Sequence, residues 1–300
     1  MFRDFFWTKA GAADETRTVP GTPIYFAHSQ VRRMVLHPHP ASRFQELTLA
    51  AFDLAALRVD YVPGKADLAE LGKPPETIRA GFVPKERHAA LLAVFNGGFQ
   101  PRHGHYGMLS QGEQLIAPRP QACTVAVMND GTLRILPWQE LQAELSRVIA
   151  YRQTPPCLVS QGDIHPRLLR ADRGPWAGQQ PGRKTRRRSV VGLSADGRTL
   201  FFGVGSETEP ETLAEGILHA GAHHAAQLDI NWNWTRLFLF AETKRRGALL
   251  PNMAIDRGQY LTREAPRGFF YLSCRPPQAL TATGACAVLD VGRAEPTSND

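Results

Sequence analysis

Long apolar runs are missing from this chain: no uninterrupted stretch approaches the roughly 18 residues of a membrane span, so no integral membrane segment is expected. The first twenty residues also lack an apolar segment followed by a small-residue cleavage site, so the numbered chain is read as soluble, with no signal peptide in it. Cysteine is scarce. The four cysteines, Cys123, Cys157, Cys274 and Cys286, stand far apart with no CxxC pair, which removes a zinc-knuckle reading. Cys123 and Cys157 lie in apolar runs and read as small buried hydrophobes, and whether any pair is bridged depends on separations that sequence does not supply. No internal repeat is visible. Charge of one sign is only mildly in excess, 35 basic against 28 acidic residues, which suits an anionic ligand, a phosphate-bearing one included, without calling for nucleic acid.

What is present is enough for one large core. Of the 300 residues, 43% are hydrophobic, and mixed folds of this general size often close around a single core. The opening polar, turn-rich segment 1–22 and the small, polar tail 276–300 offer little to bury and are expected to be flexible, which leaves 23–275 as the folded domain. Strand-like runs occur at Met34 to Leu36, Glu46 to Leu54, Leu57 to Val62, Leu91 to Phe95, Cys123 to Met128 and Thr132 to Leu136. Others lie at Ala225 to Leu228, Leu237 to Phe240 and Phe269 to Leu272. Asp130-Gly131 and Asp196-Gly197 carry tight-turn chemistry between apolar runs, the second joining Ser189–Ser194 to Thr199–Val204. Helical spacing covers Trp138 to Ile149 and Pro210 to His219, the latter opened by proline and closed by Gly221. The expectation is an α+β single domain: a twisted mixed, largely antiparallel β-sheet with a few packed helices.

Polar residues that could do chemistry gather at the ends of these runs. Asn96-Gly97-Gly98-Phe99 ends an apolar strand with two glycines, which is either a plain turn or a place where backbone amides approach a ligand. Arg102, His103, His105 and Tyr106 crowd the loop that follows. Arg183, Lys184, Arg186, Arg187 and Arg188 form the densest basic run, and Arg188, at the entrance of a strand opening with Ser189, is singled out to present a fixed fork to phosphate. Glu207 precedes the second helix. Asp229 follows an apolar strand, in a catalytic or a structural hydrogen-bonding role, and Asn231, Trp232, Asn233 and Trp234 add amides and flat faces that fit sugar rings or a packed corner.

In this order the pieces resemble the phosphodiester glycosidase family, over about Gln45 to Phe240. The strand pair Ala51-Phe52-Asp53-Leu54 through Tyr61-Val62-Pro63-Gly64 is similar to the family's opening, and Asn96-Gly97-Gly98-Phe99 to its Asn-Gly-Gly-aromatic motif. Arg188-Ser189-Val190-Val191-Gly192 with Asp196-Gly197 is similar to its Arg-Thr/Ser strand and hairpin, and Leu228-Asp229 falls where the family has Leu-Asp-Gly-Gly. That Gly-Gly is Ile230-Asn231 in this chain, with Asn231 and Asn233 offered as replacements for the lost contacts.

The resemblance implies a glycosidase-type hydrolase acting on a sugar 1-phosphodiester or phosphoglycan, secreted or in the cell envelope, with no cofactor and no metal. It gives Asp229 the role of nucleophile or of base for water, Glu207 that of a second carboxylate, Arg188 the phosphate, and Ser189 a substrate contact. Asn96, Gly97, Gly98, His103, His105, Asn231 and Asn233 complete the expected substrate contacts. Two alternatives stand beside it. One is a metal-dependent hydrolase using His103, His105, His223 or His224 with Asp229; the other is a non-catalytic glycan-binding or envelope protein of the same fold.

Overall fold

The computed structural model describes residues 6–8, 31–36, 46–72, 77–170, 174–177, 186–240, 246–249 and 259–275. Arg183 and Lys184 of the basic run, the segment 276–300 and most of 1–22 lie outside the described residues.

In chain order, β1 (Phe6–Thr8), β2 (Val31–Leu36), β3 (Glu46–Asp53) and β4 (Leu57–Val62) lead into the short α1 (Lys65–Glu70). Then come β5 (Leu91–Asn96), β6 (Met108–Ser110), β7 (Glu113–Ile116), β8 (Cys123–Met128) and β9 (Leu133–Pro137). The single turn α2 (Trp138–Leu141) precedes β10 (Val148–Thr154), β11 (Val159–Ser160), β12 (Asp163–Ile164) and α3 (Pro166–Leu169). The long hairpin β13 (Arg186–Leu193) and β14 (Thr199–Thr208) is followed by α4 (Pro210–His219), β15 (His224–Gln227), β16 (Leu237–Phe240), β17 (Arg246–Ala248) and β18 (Phe269–Cys274).

These strands make three sheets, ordered β1-β2-β3-β14-β13-β15-β11-β12, β7-β6-β10-β8-β9 and β17-β16-β5-β18-β4. Every strand-to-strand pairing among the described residues is antiparallel, so the α+β, largely antiparallel expectation holds. Period-two alternation explains how the first sheet serves two cores. On β13, Val191 and Leu193 join the main core with Phe95 and Phe270, while Val190 turns to the opposite face with Leu213 and Ile217 of α4. The strand β5, apolar up to its closing Asn96, is buried along its whole length because it runs inside its sheet, against β16 on one side and β18 on the other.

One expected element is replaced. Trp138 to Ile149 is not one helix: α2 stops at Leu141, a 3₁₀ turn runs over Gln142–Arg147, and Val148–Thr154 is β10. Val148, Ile149 and Tyr151 are β-branched or aromatic, and pairing with β8 on one side and β6 on the other outweighs the weak helical stripe. Both Asp-Gly hairpins form, with Gly131 at φ 76° and Gly197 at φ 70°. Their connections, 129–132 and 194–198, are longer than a two-residue turn and are closed by Asp130 and Asp196, each accepting a backbone N–H two residues on.

A disulfide joins Cys123 at the start of β8 to Cys157 just before β11; both are buried, as their apolar surroundings suggest, and the bridge settles what the sequence left open. The two half-cystines tie the second sheet to the first at buried positions.

Candidate active site

Three strand ends meet at one place. Asn96 closes β5, Ser189 lies near the start of β13, and Asp229 follows β15, which runs antiparallel to β13. Because Val190 pairs with Gln227, the register brings Ser189 beside Leu228 and Asp229: the Leu228 N–H donates to the Ser189 carbonyl (2.9 Å) and the Ser189 N–H to the Asp229 carbonyl (3.0 Å). The buried Ser189 hydroxyl then bridges two sheets. Its oxygen accepts from Asn96 Nδ2 at 3.1 Å and from the Asp229 N–H at 3.0 Å. Asn96 is held in turn by the Arg236 N–H, which donates to Asn96 Oδ1 at 3.2 Å.

Of the two glycines after Asn96, the first is required by a close approach and the second by its backbone conformation. A Cβ on Gly97 would lie 2.8 Å from the backbone of Gly268, and Gly98 has φ +109°, with the Leu228 carbonyl 3.8 Å from where its Cβ would be. The loop beyond is fastened from below by a residue that sequence reading missed. Arg152 of β10, 1% exposed, donates from its guanidinium to the carbonyls of Phe99, Tyr106 and Gly107. A second missed residue is Asp67 in α1. It accepts from the Gly268 N–H (2.7 Å) and from Arg267 Nη1 (2.7 Å), fixing the backbone just before β18, against which Gly97 packs. Nothing local marks either residue, because a lone arginine in a strand and an aspartate in a short helix look like solvated side chains until the tertiary contacts form.

Asp229 is poised between two environments. Its Oδ1 accepts from the Ile230 N–H (2.8 Å) and from Asn231 Nδ2 (2.7 Å), while Oδ2 carries no hydrogen bond. Burial disfavours its charge and raises its pKa to about 7; the Ile230 hydrogen bond opposes this, Asp67 adds to it, and Arg267 and Arg152 pull it back. Asn231, standing in the second position of the expected Gly-Gly, organises the following turn: its Oδ1 accepts the N–H groups of Asn233 (3.0 Å) and Trp234 (2.6 Å). Asn233 itself is exposed at the tip of that turn.

Arg188 does not reach this cleft. Strand alternation sends its side chain to the other face of β13 from Ser189, where it is 1% exposed. It donates there to the carbonyls of Thr208 (3.0 Å) and Trp176 (2.7 Å) and to Gln227 Oε1 (2.9 Å). The fork expected to grip phosphate is therefore spent inside the protein. The preceding residue, Arg187, turns instead towards the 231–234 turn, with its guanidinium carbon 5.0 Å from the Trp232 ring centre. Glu207 sits at the β14 bulge opposite Arg186–Arg188 with φ 52°, and is not among the charges acting on Asp229. His103 lies where Glu70, Arg102 and Arg267 act on it, with its pKa lowered first by burial, and His105 is exposed with φ 46°. His223 and His224 are at the beginning of β15 while Asp229 lies past its end, and no group of three or more His, Cys, Asp or Glu able to hold a metal occurs among the described residues.

Against known families, the sequence model described as phosphodiester glycosidase matches residues 89–229. Recognition of the phosphodiester glycosidase family stands on that segment. The phosphodiester glycosidase match starts just before β5 and ends on Asp229, so it contains Asn96, Gly97, Gly98, Ser189 and Asp229 but not the Asn231–Trp234 turn. Among curated proteins, none matches. The chain is similar to the solved catalytic domain of zebrafish N-acetylglucosamine-1-phosphodiester alpha-N-acetylglucosaminidase, auto-inhibited by its pro-peptide, at 12% identity over 92% of this chain and 89% of that one, with a TM-score of 0.49. It is also similar to a hypothetical protein from Synechocystis, at 12% identity over 82% of this chain and 62% of that one, with a TM-score of 0.43. A putative exported protein from Burkholderia pseudomallei follows, at 11% identity over 77% of this chain and 74% of that one, with a TM-score of 0.42.

Proposed function

We propose that this chain is a glycosidase-type hydrolase that cleaves a sugar 1-phosphodiester, with Asp229 as its catalytic carboxylate. The observation that carries this reading is the carboxylate itself: Oδ1 is anchored, Oδ2 is without a partner, and the group titrates near neutrality beside Asn96 and Ser189. A base or nucleophile whose pKa lies near the working pH combines a useful ionised fraction with useful basicity.

The bond chemistry explains why one carboxylate is enough. Breaking the anomeric C–O bond of a sugar 1-phosphodiester expels a phosphate monoester, which leaves as an anion without being protonated by a second acid. The remaining demands are to activate water or attack the anomeric carbon, to stabilise an oxocarbenium-like centre, and to neutralise the phosphate. Ionised Asp229 meets the first two. Asn96 and Ser189 hold its backbone in place, and Asn231 holds its side chain. Asp67, bound to Arg267 and the Gly268 N–H, is a positioning residue and not a second catalytic acid.

The reading is tested by incubating the full chain with an N-acetylglucosamine-1-phosphodiester and other sugar 1-phosphodiesters and following free sugar and phosphate monoester by mass spectrometry. Turnover that vanishes in Asp229→Asn supports it. Saturable binding with no product over long incubation would make the chain a glycan-binding relative of the family.

A further inference from the structure

Within the basic run, Arg187 holds a buried guanidinium edge that the fold itself does not use. It is 2% exposed, and neither Nε nor Nη2 has a hydrogen-bond partner. Those two nitrogens share the side-on edge of the guanidinium, the edge that grips an oxyanion with two parallel hydrogen bonds, as Arg58 does on Asp60 in this same chain (2.8 Å for each). A buried cation with its best donating edge unused is costly, and native proteins keep such groups where a partner arrives from outside. The charge around it points the same way. Burial and the neighbouring Arg236 both press its pKa down, and no carboxylate is among the groups acting on it.

The surroundings suit a phosphorylated sugar. Arg187 lies under the ring of Trp232 (5.0 Å), and Arg236 and Arg267 lie against Trp234 (4.8 and 5.6 Å), so the turn that follows Asp229 carries two tryptophans lined by three arginines. Trp232 is 49% exposed, leaving a flat apolar face open to a ligand. Arg187 also stands two residues before Ser189, whose hydroxyl holds the Asp229 backbone. A phosphate on Arg187 would therefore be a neighbour of the carboxylate.

We propose that Arg187 and Trp232 form the subsite for the phosphorylated end of the ligand, the Nε–Nη2 edge of Arg187 taking phosphoryl oxygens and Trp232 covering the adjoining sugar face. The proposal rests on the sugar 1-phosphodiester reading for the identity of the ligand, but not for the binding of phosphate itself.

The test is thermal unfolding of the full chain with increasing inorganic phosphate, against sodium chloride at matched ionic strength, for wild type, Arg187→Met, Arg187→Lys and Trp232→Ala. Wild type should gain melting temperature saturably with phosphate, as a ligand bound only by the folded state requires. Arg187→Met should start at an equal or higher melting temperature, since it removes an unpartnered buried charge, and should bind phosphate at least about tenfold more weakly. Arg187→Lys, with charge but no fork, should fall between them in phosphate affinity. Trp232→Ala should weaken a sugar 1-phosphate more than inorganic phosphate. Wild type without a response beyond the chloride control, unchanged phosphate affinity in both Arg187 variants, or a large loss of stability in Arg187→Met without phosphate would overturn the subsite. If the chain turns over a sugar 1-phosphodiester with KM unaltered by Arg187→Lys, the subsite fails and the hydrolase reading survives. Arg187-dependent phosphate binding without any turnover retains the subsite and removes the hydrolase reading.

Discussion

At the scale of the residue, Asp229 carries most of the account, and its titration makes it testable. Its pKa in the folded chain, about 7, lies above the ordinary 3.8, so the folded state holds this proton more tightly than the unfolded state. Stability from protonating it is fully present below the unfolded value and is lost as pH rises from about 4 to about 7. Asp229→Asn keeps an oxygen for the Ile230 and Asn231 donors and stays neutral at every pH. It should therefore match wild-type melting near pH 4 and exceed it near pH 8, a difference that scanning calorimetry at both values reads directly. Turnover should fall by about a hundredfold or more, the usual scale for a lost acid–base group. The rise of wild-type kcat/KM with pH through about 7 should disappear in the variant. Arg188 gives the opposite pattern. Because its guanidinium feeds three buried acceptors, Arg188→Lys should lower the melting temperature while leaving KM for those molecules that stay folded within about twofold of wild type.

At the scale of the element, two fastenings hold the cleft. Arg152 draws the carbonyls of Phe99, Tyr106 and Gly107 to β10, and Arg152→Lys, which has no planar fork, should loosen that loop and cost at least about tenfold in kcat/KM. The Cys123–Cys157 disulfide joins β8 to the chain entering β11 across 34 residues. Its removal by Cys123→Ala with Cys157→Ala should cost about 2–4 kcal/mol of stability, measured by denaturant unfolding under oxidising conditions. These elements also show what was legible in the sequence. Leu57–Val62, Cys123–Met128, Leu237–Phe240 and Pro210–His219 carry their periodicity and end signals openly and form as read. The short β6, β7, β11 and β12 have too few residues to show a period, and β10 was hidden in an apparent helical stripe because its partner strands, not its own pattern, decide its conformation. Asn96 and Asp229 could be picked out because strand ends place side chains at fixed positions. Arg188 could not be assigned to a face from sequence, since the bulge between Arg186 and Arg188 and the strand alternation behind it appear only in the paired hairpin.

At the scale of the whole molecule, the site exists only because three antiparallel sheets meet. The first supplies Ser189 and Asp229, the sheet containing β5 supplies Asn96, and the sheet containing β10 supplies Arg152. No single segment of the chain could assemble it, which is why its parts are separated by 93 residues between Asn96 and Ser189 and by a further 40 to Asp229. The central claim is that this junction hydrolyses a sugar 1-phosphodiester through Asp229. The most direct measurement is the rate of sugar and phosphate-monoester release from an N-acetylglucosamine-1-phosphodiester by wild type and Asp229→Asn, each verified as folded at the assay temperature. The account predicts stoichiometric release of both products by wild type and a fall of about a hundredfold or more in the variant. Equal rates from the two folded proteins, or a wild type that binds the compound and releases nothing, would contradict it.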